Sequence, residues 1–154
     1  DSRPRGSRRD GAATGRLRLV VHSNVLLSAV GGHAKSSSAK LLDAVRQGSV
    51  HVITCPRLIA EVGHGRRKPY FALRLTEDEA AHALAAIERV FVMLPDPDDP
   101  PPLLRDRRDD YLVALARAGD ADAIVTGDRD LLDHADLTPR AITPREACEK
   151  LGLS

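Results

Sequence analysis

Acidic and polar side chains follow the predicted strands of this 154-residue chain, where their types suit metal-assisted chemistry. They are His22, Asn24, Asp109, Asp110, Thr126, Asp128 and Asp130, and a further acid, Glu61, lies in the interior of a predicted helix. Carboxylates that share one cleft raise one another's pKa, so the arrangement is stable mainly when a cation compensates them. Oxygen ligands favour Mg²⁺ or Mn²⁺, and such an ion can activate water against a phosphodiester. The residues therefore predict a hydrolytic site for a nucleic acid.

The elements that must position these side chains alternate between strand and helix. Short apolar runs predict strands at LRLVV, VHVITC, VFVML and ADAIVTGD, and a last strand opens AITPREACEKL. Helices are predicted at NVLLSAV, AKLLDAVRQ, RLIAEV, the segment from Thr76 to Arg89, and YLVALARAG. This alternation predicts an α/β fold, a three-layer α/β/α sandwich with a parallel central sheet.

In such a sheet, ligands gather beyond the carboxyl ends of the strands, where loops and helix N-termini converge. His22 and Asn24 follow the first strand, and Thr126 and Asp128 follow the strand AIV. The Pro-rich segment PDPDDPPPLLRDRR is predicted to be a surface loop that leads to the acids at 109 and 110. We expect all of these residues to meet at one edge.

Length and composition predict one domain over residues 15–154, after a disordered extension or cloning remnant at residues 1–14. Aromatic residues make up 3% of the chain, which argues against an aromatic stacking platform for bases. The two cysteines have neither zinc-ligand nor disulfide spacing, which fits a reducing cytoplasm. No apolar run is long enough to cross a bilayer, so we expect a soluble cytoplasmic protein without a membrane partner.

Four motifs along the chain resemble one known family. HSNVLLSA is similar to the DTNVLLSA opening of PIN-domain proteins, and LIAEV resembles the helix that carries their glutamate. RDRRDDYLVALA resembles their RDPxDDxFLALA helix, and IVTGDRDLL matches their ending almost letter for letter. The resemblance covers about residues 17–148 and is greatest to VapC-type toxin components of toxin–antitoxin pairs.

The resemblance implies a PIN-like parallel sheet, metal-dependent endoribonuclease activity with Mg²⁺ or Mn²⁺, an RNA substrate, an antitoxin partner and a homodimer. It implies that Glu61, Asp110 and Asp128 are the catalytic metal-site carboxylates. Asp130 is expected to be a further metal ligand, and Asp109 an auxiliary acid beside the ligands. Asn24 and Thr126 match polar residues that orient the ligands.

His22 departs from the family, which places an aspartate at this position. A neutral imidazole can occupy a ligand position but suits Mn²⁺, Zn²⁺, Co²⁺ or Ni²⁺ better than Mg²⁺. Three explanations stay open: weak or altered-metal activity, a domain that has lost catalysis and kept binding, or a deliberately altered sequence. A polar residue that simply satisfies a strand end would also look like this.

The acids and the basic residues also have purely structural explanations. Asp128 and Asp130 fit turn and cap positions, and Asp109 and Asp110 fit the first turn of a helix. Glu61 could lie exposed on its helix. The basic cluster Arg66, Arg67, Lys68 and Arg74 is a candidate RNA-binding surface, although a solvated charge run is the commoner explanation.

Two further functions compete with the nuclease. One is a catalytically inactive PIN-like module that binds RNA or a protein partner. The other is a phosphate-handling domain of receiver or phosphatase type, which needs a nucleophilic aspartate after the first strand. His22 occupies that position, so the sequence counts against the second alternative.

Overall fold

The computed structural model describes residues 16–153, which form a five-stranded parallel sheet flanked by helices. The strands are β1 (Leu17–Val21), β2 (Val50–Thr54), β3 (Val92–Met93), β4 (Ala123–Val125) and β5 (Ala141–Ile142). Their order is β3-β2-β1-β4-β5, and every neighbouring pair is parallel. The predicted α/β sandwich with a parallel sheet is confirmed. The expectation for residues 1–14 lies outside the described residues.

The helices of this region connect one strand to the next. They are α1 (Ser23–Gly31), α2 (Ser37–Arg46), α3 (Pro56–Gly65), α4 (Pro69–Ala72), α5 (Glu77–Val90), α6 (Asp110–Ala118), α7 (Arg129–Leu132) and α8 (Pro144–Lys150). A 3₁₀ turn (Arg107–Asp109) runs directly into α6. Helix α6 packs on β1, β2 and β4, whereas α1, α2, α3 and α8 contact one another.

Local sequence signals start the helices where the sequence predicts. The Thr76 hydroxyl accepts from the Glu79 amide and the Glu79 side chain accepts from the Thr76 amide, which satisfies two amides at the start of α5. Thr143 and Glu146 form the same arrangement at α8. Pro56 occupies the first turn of α3, where its missing N–H costs nothing.

The third strand is much shorter than the predicted VFVML. Val90 completes α5, Phe91 is buried as the residue that ends this helix, and only Val92 and Met93 pair with β2. The helix continues because its apolar face, through Ile87, still packs on the core at this point. Two short helices, α4 and α7, also form in segments where the sequence predicted no helix.

The sheet reverses its winding direction between β1 and β4. The chain moves outward from β1 through β2 to β3, and β4 then returns to the other side of β1. At this topological switch, the connections that leave the carboxyl ends of β1 and β4 run in opposite directions. They leave a crevice between them, where α/β proteins bind ligands. The residues that follow β1 and β4, His22 and Thr126 onward, therefore lie at this crevice.

None of the helices in residues 16–153 combines the length and the apolar content needed to cross a membrane.

Candidate active site

His22 and Thr126 form the floor of the candidate site, where β1 and β4 end side by side. The His22 amide donates to the Val125 carbonyl at 2.9 Å, so the polypeptide stays in register with the sheet up to this residue. The His22 ring nitrogen Nδ1 lies 2.8 Å from Thr126 Oγ1, and both side chains are buried. The Asp128 amide also donates to Thr126 Oγ1, at 3.0 Å. One hydroxyl thus fixes both His22 and the turn that leads to Asp128.

Asp109 faces His22 from the end of the 3₁₀ turn. The other imidazole nitrogen, His22 Nε2, lies 3.7 Å from Asp109 Oδ1, and 14% of the Asp109 side chain is exposed. Burial raises the pKa of the Asp109 carboxyl, the charge of His22 opposes this rise, and the negative charges of Asp106, Glu61 and Asp128 add to it. Asp109 is therefore a partly desolvated acid within the electrostatic field of other carboxylates.

Asp110 is held differently from its neighbour. It is 1% exposed, and its Oδ1 accepts from the amides of Leu103 and Leu104 at 3.1 and 2.7 Å. Its Oδ2 accepts from Arg107 Nε at 3.1 Å. Both oxygens therefore anchor the Pro-rich loop that precedes the 3₁₀ turn, and this anchoring sets the position of Asp109.

Glu61 reaches the site from α3 and is oriented by two groups that the sequence analysis did not single out. The Tyr111 hydroxyl donates to Glu61 Oε1 at 2.6 Å, and Arg57 Nε lies 3.9 Å from Glu61 Oε2. Arg57 lies four residues before Glu61 on the same helix face, a spacing that could have revealed it. Tyr111 gives a weaker signal: a phenol in an apolar helix needs a hydrogen-bond partner when buried.

The acids after β4 serve local structure as well. Asp128 Oδ1 accepts from the Asp130 amide at 2.9 Å and caps α7, as the cap explanation expected. Asp130 Oδ1 lies 3.9 Å from Arg105 Nη1 at the exposed rim. Asn24 is exposed on the first turn of α1. Glu61 and Asp128 thus both act electrostatically on Asp109, Thr126 contacts His22 and the Asp128 amide, and Asn24 points towards solvent.

The predicted RNA-binding cluster has mixed surroundings. Arg66 is largely covered, donates to the Leu75 carbonyl at 3.3 Å and lies 3.6 Å from Glu77. The Arg74 guanidinium stacks 3.8 Å from the centre of the Tyr70 ring. The side chains of Arg67 and Lys68 are exposed. Two of the four basic groups therefore take part in local packing.

The donors fit a hard divalent cation by chemistry more than by spacing. Asp109, Glu61 and Asp128 offer carboxylate oxygens, and the raised pKa of Asp109 marks a site that a cation would stabilise. Within residues 16–153, no three His, Cys, Asp or Glu side chains lie close enough together to hold a metal ion as they stand. Binding would require the carboxylates to draw together.

The fold and these residues define a parallel α/β domain with an acidic crevice at its topological switch point. The PIN domain family matches residues 18–130, and the chain belongs to this family. PIN domains are generally nucleases. No curated protein sequence matches the chain.

Solved structures share the fold at low sequence identity. PAE2754 from Pyrobaculum aerophilum superimposes with a TM-score of 0.61 at 18% identity, covering 88% of this chain and 96% of its own. VapBC2 from Rickettsia felis, bound to a DNA fragment from its promoter, gives 0.56 at 12% identity over 82% of this chain and 98% of its own. FitAcB from Neisseria gonorrhoeae gives 0.54 at 17% identity over 82% and 98%, respectively.

Proposed function

We propose that this PIN domain is a metal-dependent endoribonuclease that acts as the toxin of a toxin–antitoxin pair. The observation that carries the proposal is the placement of Asp109, partly buried and within the field of Glu61 and Asp128. Three acids from three different elements gain little for folding by lying within one another's electrostatic field, because like charges repel. This arrangement favours a site that takes up a cation.

In this proposal, Asp109 and Asp110 exchange the roles that the sequence resemblance implied. Asp109 joins Glu61 and Asp128 as a metal-site carboxylate, because its oxygens are not committed to backbone amides. Asp110 supports the loop and turn from beneath, through Leu103, Leu104 and Arg107. Asp130 contributes from the rim beside Arg105.

His22 is proposed to direct its Nε2 proton towards Asp109 in the resting site, although the 3.7 Å between Nε2 and Asp109 Oδ1 is longer than a hydrogen bond. The buried Thr126 hydroxyl accepts a hydrogen bond from the Asp128 amide. Among the described residues, His22 Nδ1 is the acceptor available for its proton, so the hydroxyl donates to Nδ1 in this proposal. This arrangement leaves the imidazole proton on Nε2, facing Asp109 Oδ1. His22 would then have to change its hydrogen bonding before it could ligate a metal.

When bound by Asp109, Glu61 and Asp128, Mg²⁺ or Mn²⁺ would supply an activated water and stabilise the phosphodiester charge. The residues of the chain hold and orient these carboxylates. The Thr126 hydroxyl fixes the turn to Asp128, and Tyr111 fixes one oxygen of Glu61. The largely buried position of Asp109 limits its contact with water.

RNA would approach this acidic crevice along nearby basic groups. Arg67 and Lys68 remain candidates because they are exposed, and Arg105 lies beside Asp130 with 87% of its side chain exposed. Such contacts read the phosphate backbone and carry no base sequence. An antitoxin that covers the crevice and a homodimer follow from the resemblance to VapC-type toxins, and the fold shared with VapBC2 supports this comparison.

The test is cleavage of a mixed RNA pool by the purified protein with Mg²⁺ or Mn²⁺. We expect cleavage that EDTA abolishes and Mn²⁺ restores, and loss of cleavage in Asp109→Asn. Asp43→Asn is the matched control, because Asp43 is an exposed acid on α2 that pairs with Arg46. Cleavage that persists in Asp109→Asn or in EDTA would refute the proposal.

An inactive PIN-like module that binds RNA or a protein partner is the second candidate. The proximity of His22 to Asp109 favours it, because the imidazole Nε2–H would occupy the place of a cation. This candidate predicts no cleavage by the parent with any of these ions, and RNA or partner binding that is independent of metal and survives Asp109→Asn.

A further inference from the structure

Glu61 is held by a hydrogen bond that has an unusually protected donor. Tyr111 is 1% exposed, and its hydroxyl lies 2.6 Å from Glu61 Oε1. The phenol is therefore enclosed by the core, and its hydroxyl proton is directed at Glu61 in a short hydrogen bond.

Arg57 links Glu61 to the segment that carries Asp109. Its guanidinium lies 4.2 Å from the centre of the Tyr111 ring, and its Nη2 donates to the Arg108 carbonyl at 2.8 Å. The Arg108 carbonyl belongs to the peptide bond that enters Asp109. Since Arg57 Nε also lies 3.9 Å from Glu61 Oε2, one side chain contacts both halves of the acidic site.

These contacts restrict a carboxylate that would otherwise rotate freely. The terminal torsion of a glutamate is broad, so an unsupported Glu61 would have to be ordered each time an ion bound. Tyr111 holds one oxygen of Glu61. Arg57 contacts Glu61, the Tyr111 ring and the Arg108 carbonyl just before Asp109, and so links the three groups. Groups that orient metal ligands in this way commonly change metal affinity when they are removed.

We propose that Tyr111 and Arg57 are positioning residues that fix the orientation of Glu61 and thereby set the affinity of this site for divalent cations. This inference rests on the proposed function, because it requires Glu61 to be a metal-site carboxylate. Neither side chain has to touch RNA or the ion. Both act through Glu61, and this is what separates the inference from a purely structural role.

The chain offers a matched control for removal of the Tyr111 hydroxyl. It has two tyrosines and no tryptophan, and the other tyrosine, Tyr70, is exposed on α4. Mn²⁺ binding, measured by calorimetry without RNA, should weaken roughly tenfold in Tyr111→Phe and stay unchanged in Tyr70→Phe. Arg57→Met, which keeps an apolar stem over the Tyr111 ring, should also weaken binding and serves if Tyr111→Phe does not fold.

A double-mutant cycle shows whether Tyr111 acts through Glu61. Glu61→Gln should weaken Mn²⁺ binding, and adding Tyr111→Phe to it should cause little further loss. In Tyr70→Phe, where Tyr111 is the only tyrosine, Mg²⁺ should change the tyrosine fluorescence, because Glu61 is the acceptor of its hydrogen bond. That change should disappear in the variant that combines Tyr70→Phe with Glu61→Gln.

The outcomes separate this inference from the proposed function. If the parent binds Mn²⁺ and Tyr111→Phe and Arg57→Met bind it equally well, the positioning role is overturned and the nuclease stands. Additive losses in the cycle would also overturn it, since Tyr111 would then act independently of Glu61. If neither the parent nor His22→Asp binds Mn²⁺, the metal site itself fails, and the inference fails with it.

Discussion

Neutralising Asp109 and Asp110 in turn should separate the chemistry of the site from its support. Asp110→Asn keeps one carbonyl oxygen for the amides of Leu103 and Leu104 but removes the charge that strengthens these bonds. In the parent, Arg107 Nε donates to Asp110 Oδ2, and the new amide places its own donor hydrogens against this nitrogen. Asp110→Asn should therefore destabilise the fold even though the shapes are nearly identical.

The loss of folding free energy in Asp110→Asn comes mainly from the bonds to the two backbone amides. Hydrogen bonds to a charged group contribute about 1.5–3 kcal/mol, and Asn retains part of that for the two amides. The Arg107 side chain is 68% exposed, so solvent screening limits its ion pair to at most about 1 kcal/mol. A total near 2 kcal/mol would lower the Tm by roughly 4–8 °C in a domain of this size.

Asp109→Asn should behave in the opposite way. The raised pKa of Asp109 means that its charged form is disfavoured in the folded protein, so neutralising it should leave the Tm unchanged or raise it slightly. Metal binding and cleavage, in contrast, should be lost with the charge. Thermal melts in EDTA and Mn²⁺ calorimetry on both variants and on Asp43→Asn give the two readouts separately.

Reversed effects of the two substitutions would overturn these roles of Asp109 and Asp110. A variant Asp110→Asn that melts with the parent and no longer binds Mn²⁺ would return the ligand role to Asp110. Likewise, a large loss of stability in Asp109→Asn with Mn²⁺ binding intact would make Asp109 a structural acid.

Three further predictions concern other parts of the molecule. His22→Asp should shift Mg²⁺ titrations of cleavage to lower concentrations, on the order of tenfold, and an unchanged titration would remove His22 as the cause of weak Mg²⁺ binding. Arg66→Ala should lower the Tm, because Arg66 packs against the loop at Leu75. Arg67→Ala should leave the Tm unchanged and weaken RNA binding most at low salt. Equal Tm values for the two variants would contradict the packing seen at Arg66. Burial raises the pKa of the Cys55 thiol to about 11 from 9.0, so the stability of the fold should decrease as the pH rises from about 9 through 11. Thiol reagents should modify Cys55 only as the protein unfolds, which an absorbance assay of the reaction would show.

The sequence predicts the fold well because its elements are marked by local signals. The capping box at Thr76, the proline at the start of α3 and the apolar strand runs each act within a few residues, so they can be recognised without tertiary contacts. The third strand was predicted too long, because no local signal marks where it begins. VFVML suits a strand or the end of a buried helix equally well, and packing of α5 decides between them.

The candidate site was predicted less completely because its roles depend on direction. Asp109 and Asp110 are adjacent acids in one motif, and sequence likeness cannot tell which of them faces the crevice. The 3₁₀ turn decides this, because it points Asp110 into the loop and Asp109 towards His22. The contribution of Tyr111 was equally hidden, since it depends on the distance between α3 and α6.

The hydrogen bonds around Thr126 suggest why the site can accept histidine at position 22. The hydroxyl anchors the turn to Asp128 whatever its partner on β1, and it needs only an acceptor for its own proton. In the proposed arrangement His22 Nδ1 is that acceptor, and an aspartate at this position could also provide it. The fold of the crevice should therefore survive His22→Asp, so that a change in metal dependence can be attributed to the ligand itself and not to a rearranged backbone.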